Sequence, residues 1–252
     1  MKALREHNVE CVELSLFSEN APGNRITEAV RRVWNAGLRA SLHPFLPPSL
    51  DGGKLASRYQ WLESLLRRMP DFQETIILTV HSLSADRGEA IDYRNRTVEA
   101  LKRIACAVRK ENLPIRFALE LNRAKGKIDP CTSFTGVLDI CREVGDLTVG
   151  ICWDWGHAQA NILKNASCTN PPAEFLRNVI HTHIHDLGPG GSTHWPLDSG
   201  VVPVEKNMED LKSVGYSGCY VLELNPTKFF QVSPVREVVL ASIQRLNEVN
   251  LG

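Results

Sequence analysis

Short apolar runs alternate with amphipathic stretches along the whole chain. The run over residues 75–81 is rich in β-branched residues, which is typical of strands. Between the runs, apolar side chains recur at helical spacing, as over residues 55–68 and 94–110, and this spacing predicts helices with one buried face. Strands that alternate with helices predict a parallel sheet with helical crossovers.

The pattern predicts strands over residues 12–17, 39–43, 75–81, 115–120, 147–153, 179–183 and 219–223. It predicts helices over residues 25–36, 55–68, 94–110, 134–144, 173–178, 208–214 and 235–249. Repeated crossovers of one hand give an open doubly wound sheet or a closed barrel. No glycine-rich dinucleotide motif or P-loop follows a predicted strand, which weakens the dinucleotide-binding interpretation.

The length and the first residues refine this expectation. A chain of 252 residues suits one (β/α) barrel, which typically takes about 250, so we expect a single domain over residues 1–252. The chain opens in a short predicted helix, residues 2–7, directly before the first predicted strand. A closed barrel has eight strands. The expected fold class is therefore α/β, a (β/α) TIM barrel of parallel strands whose first strand is missing at the N-terminus.

Polar side chains stand where the predicted strands end. They are His43, His81, Glu120, Asp154, His183 and Glu223. One such carboxylate alone is more often a helix cap, and one such histidine alone is more often a structural residue. In a parallel barrel, however, all strands end at the same face, and carboxylates crowded there repel each other. A bound cation would relieve this repulsion, and oxygen and imidazole ligands suit Mn²⁺, Zn²⁺, Co²⁺ or Mg²⁺.

Further histidines lie close to these strand ends. Gly156 permits a tight turn that would bring His157 back towards the barrel mouth. His181, His183 and His185 alternate along the chain, so they share one side if this segment stays extended. His194 opens a loop that could cover a substrate.

Several short segments, in this order, resemble the xylose-isomerase-like TIM-barrel superfamily, which holds sugar phosphate isomerases and epimerases together with endonuclease IV. They are Val12-Glu13-Leu14, Leu42-His43-Pro44, Val80-His81, Leu119-Glu120-Leu121-Asn122, Trp153-Asp154-Trp155-Gly156-His157, His183-Ile184-His185-Asp186, His194-x-Pro196-Leu197-x-x-Gly200 and Leu222-Glu223-Leu224-Asn225-Pro226. The resemblance implies that Glu120, Asp154, His183 and Glu223 hold a divalent metal.

The same resemblance supplies candidates for a second metal or for substrate contact. They are His43, His81, His157, His185 and His194. His157 matches a histidine that contacts substrate in epimerases, and several of the others match additional zinc ligands of endonuclease IV. Two positions depart from the pattern, because Ser192 stands where an aspartate is expected and Asp198 replaces the first glycine of a P-L-G-x-G segment.

Three functions compete. The first is a metal-dependent isomerase or epimerase of sugars or sugar derivatives, in which a proton moves next to a carbonyl through a metal-stabilised enediolate. Glu120 and Glu223 would be its base and acid, and His157 would hold a substrate oxygen. The second is an endonuclease IV-like zinc phosphodiesterase acting on abasic DNA, which the extra histidines favour and Ser192 opposes. The third is a catalytically inactive barrel, suggested by the missing strand.

Composition bears on partners and location. Lys and Arg together number 29 and so do Asp and Glu, giving a formal net charge of +0, which argues against a strong grip on nucleic acid or an anionic membrane. The 7 cysteines are scattered without a C-x-x-C pair, as suits a reducing compartment. No signal peptide or membrane span is visible. We expect a cytoplasmic protein with a small sugar-like substrate, and a homodimer would cover the gap left by a missing strand.

Overall fold

The structure, a computed structural model, describes residues 2–17, 23–44, 74–84, 92–197, 200–231 and 234–251. Its strands are β1 (Cys11–Phe17), β2 (Arg39–Pro44), β3 (Ile76–Val80), β4 (Ile115–Glu120), β5 (Val149–Asp154), β6 (Val179–Ile184), β7 (Asp186–Gly188), β8 (Ser192–Trp195) and β9 (Tyr220–Leu222). Its helices are α1 (Lys2–Glu6), α2 (Gly23–Asn35), α3 (Tyr93–Lys110), α4 (Phe134–Val144), α5 (Trp155–Leu163), α6 (Ala173–Arg177), α7 (Val204–Ser213) and α8 (Val235–Leu251).

Seven parallel strands form one curved sheet in the order β1-β2-β3-β4-β5-β6-β9. The two end strands, β1 and β9, approach each other, so the sheet is a nearly closed barrel. In the described part of the chain β1 is hydrogen-bonded only to β2, and β9 only to β6. The predicted TIM barrel of parallel strands is confirmed. We call the line along which β1 and β9 face each other the seam.

The core lies between the barrel and its helices. Strand β5 is buried along its whole length, as expected for a strand of a parallel sheet that is covered on both faces. Trp153 packs edge-on against Phe134 and Phe175, with ring centroids 6.2 and 5.9 Å apart. Trp153 and Trp155 are fully buried, so these two indoles are packing residues.

Local signals explain where several helices begin and end. Asp92 caps α3 by accepting from the Asn95 N–H at 3.0 Å, and Ser133 caps α4 by accepting from the Gly136 N–H at 3.1 Å. Helix α4 ends at Gly145, whose φ of 64° is left-handed, as expected of a C-terminal glycine. The predicted helix over residues 55–68 lies outside the described residues.

Three segments differ from the prediction. Helix α5 replaces the tight turn expected at Gly156, helix α7 begins at Val204 instead of residue 208, and a hairpin of β7 and β8 replaces a loop. Asp186 anchors the hairpin, because its carboxylate accepts from the Leu187 and Gly200 N–H groups, each at 2.8 Å. No helix among the described residues has the length and apolar character to cross a bilayer.

Candidate metal centre

Four side chains meet at the rim where the parallel strands end. Glu120 is the last residue of β4 and Asp154 the last of β5, His183 lies near the end of β6, and Glu223 follows β9 directly. One ligand atom from each of the four lies within 4.8 Å of the others. Glu120, Asp154 and His183 are at most 1% exposed, while the Glu223 side chain is 24% exposed. The predicted groups therefore converge.

Strand register brings these groups together. Asp154 lies directly opposite His183 in the β5–β6 ladder. Glu120 lies opposite Cys152, two residues before Asp154, so the two carboxylates emerge on the same side of the sheet. The Glu223 N–H donates to the Ile184 carbonyl at 2.9 Å, which extends the ladder of β9 by one residue and fixes the origin of the fourth side chain.

The donor atoms of this group lack partners. Among the described residues, Asp154 Oδ2, both ring nitrogens of His183 and Glu223 Oε2 are buried without an aligned hydrogen bond. A buried polar group left in this way costs about 1–3 kcal/mol. Three carboxylates with one imidazole are hard-to-borderline ligands that suit Mn²⁺, Zn²⁺, Co²⁺ or Mg²⁺. The residues present therefore fit a divalent cation.

The carboxylates of the centre are ionised, and neighbouring histidines are the cause. Burial alone would raise the pKa of Glu120, but His81 and His157 outweigh it and hold that pKa well below its usual value. At Asp154 burial would again raise the pKa, but His157 and His185 outweigh it, and this pKa is also lowered. The pKa of Glu223 is lowered mainly by His183 against the effect of burial. Neighbouring imidazoles thus hold the three carboxyl groups of the rim in their anionic form.

Two of the additional candidates, His43 and His81, lie beside Glu120. The Nε2 atoms of His43 and His81 are 3.1 Å apart, and His81 Nε2 is 2.7 Å from Glu120 Oε2. These three residues form a second group with the geometry of a metal site, sharing Glu120 with the first. The structure therefore brings both histidines to the rim, as predicted.

His157 stands on the first turn of α5. Asp154 caps this helix by accepting from the His157 N–H at 2.7 Å, so the same carboxylate serves the helix and the centre. The ring Nδ1 of His157 is 3.0 Å from Asp154 Oδ2 and 3.2 Å from Glu120 Oε1. Burial lowers the pKa of His157, but the two carboxylates outweigh it and raise this pKa to about 10.

His185 and His194 complete a third group with His157. The backbone N–H of His194 donates to His185 Nδ1 at 2.9 Å. The same Nδ1 atom lies 3.0 Å from the Asp186 carbonyl oxygen, and Nε2 lies 3.1 Å from Asp154 Oδ1. The ring rests on Gly156, where an added Cβ would lie 1.8 Å from His185 Cε1. Gly156 thus makes room for His185, and the expected turn at this glycine is wrong.

Glu13 is a buried carboxylate that the sequence analysis did not assign to the site. Its Oε2 accepts from His181 Nε2 at 2.8 Å, and its Oε1 lies 2.8 Å from His183 Nε2. Burial raises its pKa, but His183 and His181 outweigh this and hold the pKa well below its usual value. One feature of the sequence could have indicated this residue: Glu13 is a charged residue between the apolar Val12 and Leu14 of a predicted strand.

A cavity of about 550 Å³ opens along the seam. Its lining includes Cys11 and Glu13 from β1, Tyr220 from β9, Glu223 directly after β9, and Leu246 from α8. Glu13 and Glu223 therefore border one open space.

Comparison with known proteins agrees with this fold. The sequence profile of the xylose isomerase-like TIM barrel family matches residues 1–249. The chain belongs to this family.

The relatives include one curated protein and several solved structures. The uncharacterized protein MJ1311 of Methanocaldococcus jannaschii is 30% identical over 94 residues, which are 34% of this chain and 29% of that protein. The chain thus matches under a third of that relative's length.

Three crystal structures illustrate the fold. A D-tagatose 3-epimerase-like protein has a TM-score of 0.67 at 19% identity, covering 98% of this chain and 93% of the other. D-psicose 3-epimerase with D-tagatose, from Clostridium cellulolyticum H10, has a TM-score of 0.68 at 15% identity, covering 98% of this chain and 90% of the other. The IOLI protein with a bound zinc atom has a TM-score of 0.69 at 13% identity, covering 99% of this chain and 90% of the other. At these identities the likeness establishes the fold alone.

Proposed function

We propose that this protein is a divalent-metal-dependent isomerase or epimerase of a sugar or sugar derivative. The observation that carries the proposal is the convergence of Glu120, Asp154, His183 and Glu223 within 4.8 Å at the rim. Membership of the xylose isomerase-like family supports it. Two neighbours in fold that are described as 3-epimerase or 3-epimerase-like, and a third that carries zinc, add to this support.

The proposed chemistry is proton transfer at the carbon next to a carbonyl. A divalent cation at the centre would supply the positive charge that stabilises negative charge developing on the substrate oxygens. Glu120 and Glu223 arise from strands three places apart in the sheet, and both are ionised, so each is able to accept a proton. One takes the proton from carbon, and the other, after gaining a proton from solvent, returns it to the opposite face of that carbon.

His157 is proposed to hold a substrate oxygen. Its Nε2 is buried and has no hydrogen-bond partner among the described side chains and backbone groups. Its Nδ1 faces Asp154 and Glu120, which keeps the ring protonated and leaves Nε2–H as a donor. A donor fixed in this way orients a hydroxyl or carbonyl oxygen before the proton moves.

The experiment is a screen of ketoses, ketose phosphates and keto-acid sugars in D₂O with Mn²⁺, Co²⁺, Zn²⁺ or Mg²⁺. We expect interconversion of one pair, with deuterium incorporated at the carbon that changes configuration. Glu120→Gln and Glu223→Gln should each lower kcat by roughly 10²–10⁴-fold. Glu205→Gln is the matched control, because this carboxylate lies on the exposed surface of α7 and pairs with Arg245. Full activity in both site variants would contradict the mechanism.

A second candidate is a zinc phosphodiesterase acting on abasic DNA. It is favoured by the two histidine-rich groups beside the centre, His43–His81–Glu120 and His157–His185–His194. Three zinc ions per chain together with cleavage of an abasic duplex would select this function, whereas one ion and sugar turnover would select the epimerase. No turnover and no rise in melting temperature with any divalent ion would select the third possibility, an inactive barrel.

The proposal extends to partners and location. We infer a cytoplasmic protein whose partner is a small sugar-like molecule and not nucleic acid or a membrane. A homodimer that covers the seam would fit the edges of β1 and β9, which have no strand partner there among the described residues. Sedimentation analysis distinguishes this dimer from a monomer.

A further inference from the structure

We propose that Glu13 is a positioning residue that fixes the His183 imidazole with its Nδ1 atom turned towards the metal centre. The inference shares its site with the proposed function but concerns cation binding alone. It stands on the hydrogen-bonding groups around two side chains, Glu13 on β1 and His183 on β6, which face each other across the barrel interior.

The contact between them assigns the proton on the ring. His183 Nε2 lies 2.8 Å from Glu13 Oε1. Two atoms that both carry lone pairs do not approach so closely, so Nε2 carries a proton, since the carboxylate is an acceptor. The contact is a close ion pair and not an aligned hydrogen bond. In the neutral ring the lone pair then resides on Nδ1, the only atom left to bind a cation.

The surroundings of Nδ1 agree with this assignment. His183 Nδ1 lies 3.4 Å from Glu223 Oε2 and 3.8 Å from Glu120 Oε2. Ligand atoms about 2.1 Å from one ion are separated by roughly 3.0–3.4 Å in octahedral or tetrahedral geometry. The 3.4 Å separation between Nδ1 and Glu223 Oε2 therefore suits a shared cation, and the 3.8 Å separation from Glu120 Oε2 is somewhat wider. The 2.8 Å separation at Nε2 is shorter than that of two ligands on one ion.

Glu13 is itself held from three other strands. Its Oε2 accepts from His181 Nε2 at 2.8 Å on β6, from Ser41 Oγ at 3.2 Å on β2 and from Thr79 Oγ1 at 3.4 Å on β3. The Glu13 side chain is 5% exposed. Burying a carboxylate is costly without such partners, and the partners leave Oε1 a fixed position from which to orient His183. Outer carboxylates of this kind typically change metal affinity by about 10–100-fold.

The test compares Glu13→Gln with Asp146→Asn, a matched change of carboxylate to amide. The Asp146 side chain is 8% exposed, pairs with Arg109 and accepts from the Thr148 N–H at 3.0 Å, ahead of β5 and away from the rim. Isothermal titration with Mn²⁺ and with Zn²⁺ gives Kd for each protein, and circular dichroism with melting curves checks folding. We expect Kd to rise about 10–100-fold in Glu13→Gln and to change less than about threefold in Asp146→Asn. Unchanged affinity in a folded Glu13→Gln protein overturns the inference.

A measurement on the unsubstituted protein keeps the inference testable if Glu13→Gln does not fold. In ¹⁵N-histidine NMR, with His183 assigned through His183→Gln, we expect Nε2 to be protonated before and after Zn²⁺ is added. The Nδ1 signal alone should move on binding. A proton on Nδ1, zinc bound at Nε2, or a second ion held by Glu13 and His43 overturns the assignment.

These outcomes are separable from those of the proposed function. Weaker binding in Glu13→Gln, with no sugar converted by the unsubstituted protein, supports the role of Glu13 and defeats the epimerase. Sugar conversion together with equal affinities defeats the role of Glu13 and leaves the epimerase standing.

Discussion

Replacing Gly156 by alanine should destabilise the protein, although alanine normally favours a helix. In most helices the change gains up to about 1 kcal/mol. Here the new Cβ would lie 1.8 Å from His185 Cε1 and 2.0 Å from His185 Nδ1. Ordinary contacts are about 3.5–4.0 Å, so the imidazole or the helix has to move by roughly 1.5–2 Å.

The displacement breaks specific contacts, which sets the size of the effect. His185 Nδ1 loses the His194 N–H, at 2.9 Å in the structure, and Nε2 leaves Asp154 Oδ1, at 3.1 Å. Overpacking costs about 1–3 kcal/mol, and each lost hydrogen bond adds about 0.5–1.5 kcal/mol. After the helical gain is subtracted, we expect a loss of about 1–5 kcal/mol, or a fall of about 2–10 °C in Tm for a chain of this size.

Urea and thermal denaturation of the metal-free protein measure the loss. The control is the same substitution in a His185→Ala background, where the methyl group finds space and the penalty should fall below about 1 kcal/mol. An equal penalty in both backgrounds, or a Tm of Gly156→Ala at or above that of the unsubstituted protein, would show that His185 does not occupy the space above this glycine.

Three further predictions concern the centre and the barrel. Mn²⁺ or Zn²⁺ at 100 times its Kd should stabilise the protein by about 2.7 kcal/mol, which thermal denaturation shows as a rise in Tm. The substitution Asp154→Asn should remove this rise. An equal rise in the variant and in the unsubstituted protein would place the ion elsewhere. In the metal-free protein the pKa of His157 is raised to about 10 from 6.5. The charged ring therefore contributes fully to the free energy of unfolding below pH 6.5, and this contribution is lost as the pH rises through about 10. The urea midpoint should fall over this pH range, and the fall should be smaller in His157→Gln. Asp92→Ala removes the cap of α3 and should lower the free energy of unfolding by about 1 kcal/mol. Metal affinity, measured by titration calorimetry, should stay unchanged. A change in affinity would show that this helix end is coupled to the centre.

The strand order and the rim were predictable because both follow from period and position. Apolar runs bounded by polar residues marked the strands, and the parallel arrangement then required their last residues to meet. Glu120 and Asp154 needed nothing more than to be the final residues of β4 and β5. The prediction of a rim rich in carboxylates and histidines thus rested on topology and not on any single motif.

The remaining features depend on contacts between distant residues. Glu13 looks like an isolated charge in β1, and its meaning appears only when His183, 170 positions later, is placed beside it. Gly156 suggests a turn when read alone, yet it packs beneath His185 inside a helix that Asp154 caps. Asp154 both caps a helix and belongs to the rim group. The sequence indicates the position at the strand end but does not show the second role.

The seam has a consequence for how this centre evolves. Glu120, Asp154 and His183 stand on β4, β5 and β6, three adjacent strands locked to neighbours on both sides, whereas Glu223 follows β9, which is bonded on one side only. Substitutions in α8 or along this edge would therefore shift the position of Glu223 while leaving Glu120, Asp154 and His183 in place. If the proposed function holds, a lineage changes its acid–base group for a new substrate in this way without rebuilding the rest of the centre.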